Sequence, residues 1–144
     1  MSENPEIVMQ AKHIVKQFPA SHGRTLTACN DINLTMYKGR TLGIVGESGC
    51  GKSTVGRLIL RLTEATDGEI LFYDDDIRKY DREKMRHTRR RLQIVFQDPY
   101  ASLDPRKTIS QIISEPIIIN KILTNKQDVE DRVHELMDTV GLAP

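Results

Sequence analysis

Tryptophan is absent, aromatic residues make up only 5% of the chain, and cysteine occurs twice in 144 residues. Two thiols, Cys29 and Cys50, cannot form the disulfide framework on which small secreted domains depend. The fold must therefore rest on aliphatic burial, for which this length suffices as one domain. No apolar run approaches the roughly 18 residues that a membrane-spanning helix requires. The N-terminus, Met1-Ser2-Glu3-Asn4-Pro5-Glu6, has neither the basic start nor the apolar stretch of a secretory signal, so the cytoplasm is the expected compartment. An excess of one charge is missing too. Lys and Arg number 21 against 20 Asp and Glu, and a net charge of +1 provides no whole-molecule field toward nucleic acid or anionic lipid. There is no internal repeat and no low-complexity tract.

Against this plain background one segment stands out: Gly46-Glu47-Ser48-Gly49-Cys50-Gly51-Lys52-Ser53-Thr54 fits G-x-x-x-x-G-K-[ST], the phosphate-cradling P-loop. Its context has the required order. Thr41-Leu42-Gly43-Ile44-Val45 reads as a buried strand before the loop. Val55, Leu58, Ile59 and Leu62 recur at i, i+3, i+4 and i+7 after it, one face of a helix. The chemistry explains the composition. Glycines let successive backbone N–H groups turn inward with no Cβ in the way. The helix start adds unpaired N–H groups and the positive end of its dipole. Lys52 supplies a mobile charge for the β- and γ-phosphates. Ser53 offers a hydroxyl to Mg²⁺, which prefers oxygen ligands. Thr54 reads either as another phosphate contact or as a plain helix residue. Cys50 either fills a small position or is a reactive thiol near a helix start. The loop specifies a nucleoside triphosphate without choosing between ATP and GTP.

Along the rest of the chain, Ile7 to Val15 reads as a strand. Ile32, Leu34 and Met36 alternate with polar neighbours as a half-buried strand. Two antiparallel-looking strands before the loop suggest a mixed sheet around the loop helix. Glu69 to Tyr73 is a further strand, Asp74-Asp75-Asp76 a polar turn, Asp81 to Arg91 a basic helix, and Leu92 to Phe96 another strand. Thr108 with Gln111 and Thr124 with Gln127 are capping-box candidates. Pro116 is expected to kink or end the helix between them. Val129, Val133, Leu136, Met137 and Val140 form an amphipathic stripe closed by Gly141.

The P-loop together with Ile94-Val95-Phe96-Gln97-Asp98-Pro99-Tyr100-Ala101-Ser102-Leu103-Asp104-Pro105-Arg106 resembles the ATP-binding subunit of ABC transporters, and within it the importers of oligopeptides, dipeptides and nickel. The resemblance runs from Ile7 to Pro144. It implies an α/β P-loop nucleoside triphosphate hydrolase fold of the ABC type, with residues 1–107 as the P-loop core carrying an antiparallel β portion and residues 108–144 as the start of a helical subdomain. It implies ATP and Mg²⁺ as cofactors and ATPase activity for the intact protein. Gln97 becomes the glutamine that touches Mg²⁺ and the attacking-water region, and Phe18 the aromatic that stacks on adenine. The implied partners are membrane-spanning permease subunits, a second ATP-binding subunit (identical or not) and, indirectly, a solute-binding protein, with no nucleic acid. The implied location is the inner face of the membrane, through the permease. A Leu-Ser-Gly-Gly-Gln signature, an Asp-Glu-ending strand and a switch histidine do not occur in these 144 residues. The chain is therefore expected to be an N-terminal portion that binds nucleotide and hardly hydrolyses it alone.

Rival patterns are weaker. Asp74 and Asp98 each follow an apolar run, as a metal-anchoring Asp does in P-loop enzymes, but Asp74 opens a run of acids and Asp98 belongs with Gln97. Asn125-Lys126-Gln127-Asp128 fits the guanine-reading N-K-x-D, yet no apolar strand precedes it. Arg82, Lys84, Arg86, Arg89, Arg90 and Arg91 read as a solvated helix face rather than a nucleic-acid surface. His13, His22, His87 and His134 show no metal-ligand spacing. A soluble ABC-type ATPase acting on DNA or ribosomes would carry tandem P-loops or coiled-coil insertions. A small-molecule kinase would need a lid arginine cluster, for which only Arg89 to Arg91 are available.

Overall fold

The computed structural model describes residues 5–98 and 102–142, in two compact units, Met1–Gln93 and Ile94–Pro144. The expected division at 107/108 thus falls inside the second unit.

The first unit is built on a four-stranded antiparallel sheet of order β2-β1-β3-β4. Its strands are β1 (Ile7–Pro19), β2 (Thr25–Tyr37), β3 (Asp67–Phe72) and β4 (Asp75–Asp76). Helix α1 (Lys52–Ile59) packs its buried Val55 and Leu58 with Met9, Ala11, Ile14, Cys29, Ile70, Phe72 and Ile77. Period-two alternation alone would carry Met9 and Ala11 to residue 13 on the core face. Register shifts on both sides of residue 13 put Ile14 there instead. At this bulge His13 and Asp31 both take positive φ, 52° and 53°. The His13 N–H donates to Asn33 Oδ1 at 2.9 Å, and His13 Nδ1 lies 2.7 Å from Asp31 Oδ1. This contact, with that from Asn33, holds the Asp31 carboxyl below its ordinary range. Gly68 completes the bulge from the other edge. Its φ is +94°, and a Cβ there would stand 2.5 Å from His13 O and 2.6 Å from Lys12 O.

Tyr73 and Asp74, both at positive φ, make the tight turn between β3 and β4. Asp74 is therefore a turn residue, and the described residues contain no cluster of three or more His, Cys, Asp or Glu able to hold a metal. Helix α2 (Arg82–Thr88) is capped by the Asp81 side chain, which accepts from the Lys84 N–H at 2.7 Å. The basic residues of the helix and of the turn after it are partly committed within the unit. Lys84 pairs with Asp75 at 3.1 Å and lies over the Tyr80 ring, Arg89 donates to Arg61 O, and Arg91 lies over Tyr73 and Phe72.

Two expectations fail here. Residues 41–45 and 92–96 form no strand, and Val45 and Val95 are 94% and 97% exposed. An apolar, β-branched run becomes a strand only when neighbours take up its N–H and C=O groups. Among the described residues no strand pairs with either run. The sheet is accordingly antiparallel rather than mixed. Leu62 also lies beyond α1, whose C-cap Leu60 is followed by a left-handed Arg61 at φ 49°, and remains 43% exposed.

The second unit contains α3 (Ile109–Ile119) and α4 (Lys126–Thr139), packed through Ile117, Val129, Val133 and Met137. The Thr108–Gln111 capping box forms with both reciprocal bonds, at 3.2 and 2.9 Å. The second cap shifts by one residue: Asn125, not Thr124, accepts from the Gln127 N–H at 3.0 Å. Residue 125 of the N-K-x-D match is thus a helix cap. Pro116 does not end α3, which continues three residues to Ile119. Val140 leaves the stripe as the C-cap of α4 and is 68% exposed. Gly141, at φ +73°, closes the helix with bonds from its N–H to Asp138 O and from the Leu142 N–H to Met137 O.

Candidate functional site

The loop between residue 46 and α1 has the backbone that its glycines imply. Gly49 and Gly51 take φ of +81° and +96°, and Gly51 is the left-handed N-cap of α1. The first three N–H groups of the helix, on Lys52, Ser53 and Thr54, precede any intrahelical acceptor. The first helical bond runs from the Val55 N–H to Gly51 O at 2.9 Å. Two glycines are closely approached, Gly51 by backbone and Gly46 by a side chain. A Cβ on Gly46 would lie 2.6 Å from Cys50 Sγ, and one on Gly51 would lie 2.8 Å from Ala28 O. The second contact seats the loop directly on β2. Glu47, Ser48, Gly49 and Cys50 are exposed, as is Ser53 at the helix start.

Lys52 folds back over the loop. Its ammonium donates to Gly46 O at 2.8 Å and Glu47 O at 2.6 Å, and stands 3.6 Å from Cys50 Sγ. The cation is thus held at the mouth of the glycine loop beside the free helix N–H groups, an arrangement suited to a polyanion. The two cysteines differ. Cys50 is exposed on this loop, whereas Cys29 is buried behind it and burial pushes its thiol above the usual range.

Phe18 lies near the end of β1, opposite Leu26 of β2, and is 37% exposed. The Lys16 ammonium sits over its ring at 4.7 Å and donates to Glu64 O at 2.7 Å. The neighbouring backbone is fastened to the same segment, through Gln17 N–H to Thr66 Oγ1 at 3.0 Å and Thr66 N–H to Val15 O at 2.8 Å. Arg61 anchors the other side of that segment. It pairs with Glu64 at 3.0 Å and donates to Ile77 O and Tyr80 O, both at 2.8 Å. The strand that carries Phe18 and the helix that carries the P-loop therefore meet at residues 61–66. Neither Lys16 nor Arg61 stands out in the sequence. The available signal for Lys16 is its position two residues before an aromatic on a strand.

Gln97 is exposed at a bend in the second unit, as is Asp98 beside it. The Pro99, Tyr100 and Ala101 portion of that motif lies outside the described residues. Among the described residues no helix is long and apolar enough to cross a membrane.

The sequence pattern of the ABC transporter family matches residues 29–144. The oligopeptide transport ATP-binding protein OppF of Bacillus subtilis is 49% identical over 138 residues, which cover 95% of this chain and 45% of that protein. The dipeptide transport ATP-binding protein DppF of Escherichia coli is 39% identical over 140 residues, covering 94% and 42%. The glutathione import ATP-binding protein GsiA of Escherichia coli is 42% identical over 145 residues, covering 96% and 23%. Among solved structures, a bacterial ABC transporter cassette in dimeric form superimposes with a TM-score of 0.75 at 24% identity, over 90% of this chain and 56% of that one. The chain thus spans about half the length of several curated relatives it matches.

Proposed function

The chain belongs to the ABC transporter family, and we propose that it supplies the ATP-binding part of an importer for oligopeptides, dipeptides or a related small solute. The observation that carries the reading is the glycine loop that ends on the free N–H groups of α1 with Lys52 held across its mouth. The peptide class is supported by relatives whose names give oligopeptide, dipeptide and glutathione transport.

Each site residue then has a task. The amides of Gly49, Gly51, Lys52, Ser53 and Thr54 take the phosphate oxygens, with Gly46, Glu47, Ser48 and Cys50 completing the loop. Lys52 exchanges two neutral carbonyl acceptors for anionic phosphate oxygens, which are stronger acceptors. Phe18 offers a ring face to adenine. The residues present fit Mg²⁺, because the exposed Ser53 hydroxyl stands beside the phosphate cradle and a hard cation prefers oxygen donors. Ser53 would hold it, and when bound the ion would supply positive charge to the phosphate oxygens. The resemblance gives Gln97 the task of orienting the attacking water. In the whole protein the rate of that step depends mostly on positioning and charge stabilisation. Permease subunits and a second ATP-binding subunit are the proposed partners, and the permease would keep the assembly at the cytoplasmic face of the membrane.

Calorimetric titration with Mg-ATP and Mg-GTP tests the reading. ATP should bind at least as tightly as GTP, and Lys52→Ala should weaken ATP by about 10- to 100-fold. A strong GTP preference, or a Lys52→Ala variant that binds like the parent, would contradict it.

A further inference from the structure

The Lys16 ammonium lies over the Phe18 ring and is bonded at the same time to Glu64 O, in the segment that follows the P-loop helix. A cation held over one face of an aromatic ring is attracted by the ring quadrupole and draws electron density toward itself. That face is then occupied, while Phe18 as a whole remains 37% exposed. A purine stacking on the opposite face would meet a ring backed by the cation and polarised toward it.

We propose that Lys16 is a positioning residue for the nucleotide base: it backs the Phe18 ring on one face so that adenine stacks on the other. The proposal rests on the reading of Phe18 as the adenine platform. The tether makes it more than a local ring contact. Lys16 to Glu64, Gln17 to Thr66 and Val15 to Thr66 join β1 to the segment directly after α1, so base platform and phosphate loop are referenced to one stretch of backbone.

Binding of Mg-ATP and of Mg-tripolyphosphate to this chain separates the outcomes, because tripolyphosphate uses the loop without the base. Lys16→Met should weaken ATP by about 2- to 5-fold and leave tripolyphosphate unchanged, and Lys16→Arg should restore ATP. Phe18→Ala should weaken ATP by about 5-fold or more, again sparing tripolyphosphate. If Phe18→Ala weakens ATP but Lys16→Met does not, the proposal falls while the platform reading stands. If Lys16→Met weakens both ligands equally, its role is structural and the proposal falls. If Phe18→Ala leaves ATP binding intact, the platform reading fails and takes the proposal with it.

Discussion

Lys52 is held by acceptors that it can readily exchange. Gly46 O and Glu47 O belong to an exposed loop, and water competes for both. Nearby Cys50 shares that exposure, while Cys29 is buried and its thiol is pushed up. Only thiolate reacts with alkylating agents, so Cys50 should be modified well before Cys29. Saturating Mg-ATP should slow Cys50 labelling, as read by mass spectrometry of the intact and digested chain. Equal labelling with and without nucleotide would remove Cys50 from the site. At this scale the sequence was most legible where a residue's role is set by chain geometry alone. Gly51 is glycine because φ is +96° and Ala28 O is close by, and the motif spacing already demanded it. Lys16 was not legible, because its contacts to Phe18 and to Glu64, 48 residues away in sequence, exist only once β1 meets the end of α1.

Among the elements, β1 depends on an interruption. The bulge at His13 brings Ile14 into the core and forces the backbone of β1 against Gly68. Gly68→Ala must therefore move main-chain atoms and adopt a strained φ. We expect a loss of about 2 kcal/mol or more in denaturant unfolding, and a loss below about 0.5 kcal/mol would show that the bulge is slack. Thr108→Ala removes one half of the α3 capping box and should cost about 1 kcal/mol, measured in the same way. Local signals of this kind were readable: the Thr108 box and the stripe of Val129, Val133 and Met137 appear where their spacing puts them. The cap of α4 moved from Thr124 to Asn125, two adjacent residues that can both cap and that spacing alone does not separate. Pro116 does not end α3. Its ring removes one N–H and crowds the carbonyl of residue 112, but its own carbonyl still accepts from the Asn120 N–H at 3.2 Å, so the last turn closes.

At the scale of the whole molecule, one sheet with α1 and Ile77 packed on it and one helical pair make up the main core clusters, and of two apolar runs without strand partners only Leu92 packs against the first cluster. Residues 41–45 and 92–96 carry a strand's composition without a strand's partners. Composition reports what a segment can bury, while a parallel ladder depends on neighbours far away in sequence. That is why the antiparallel pairing was readable, while the mixed sheet expected around the loop helix does not form among the described residues. Family membership and cassette fold agree with the resemblance carried by the loop and the Gln97 motif. The central claim remains local: the amides around α1's start bind a triphosphate. Backbone amide NMR of the ¹⁵N-labelled chain, titrated with Mg-ATP, measures this directly. The account predicts that the largest shifts fall on Gly49, Gly51, Lys52, Ser53 and Thr54 and that Lys52→Ala suppresses them. Unmoved amides across residues 46–54 at saturating Mg-ATP would contradict it.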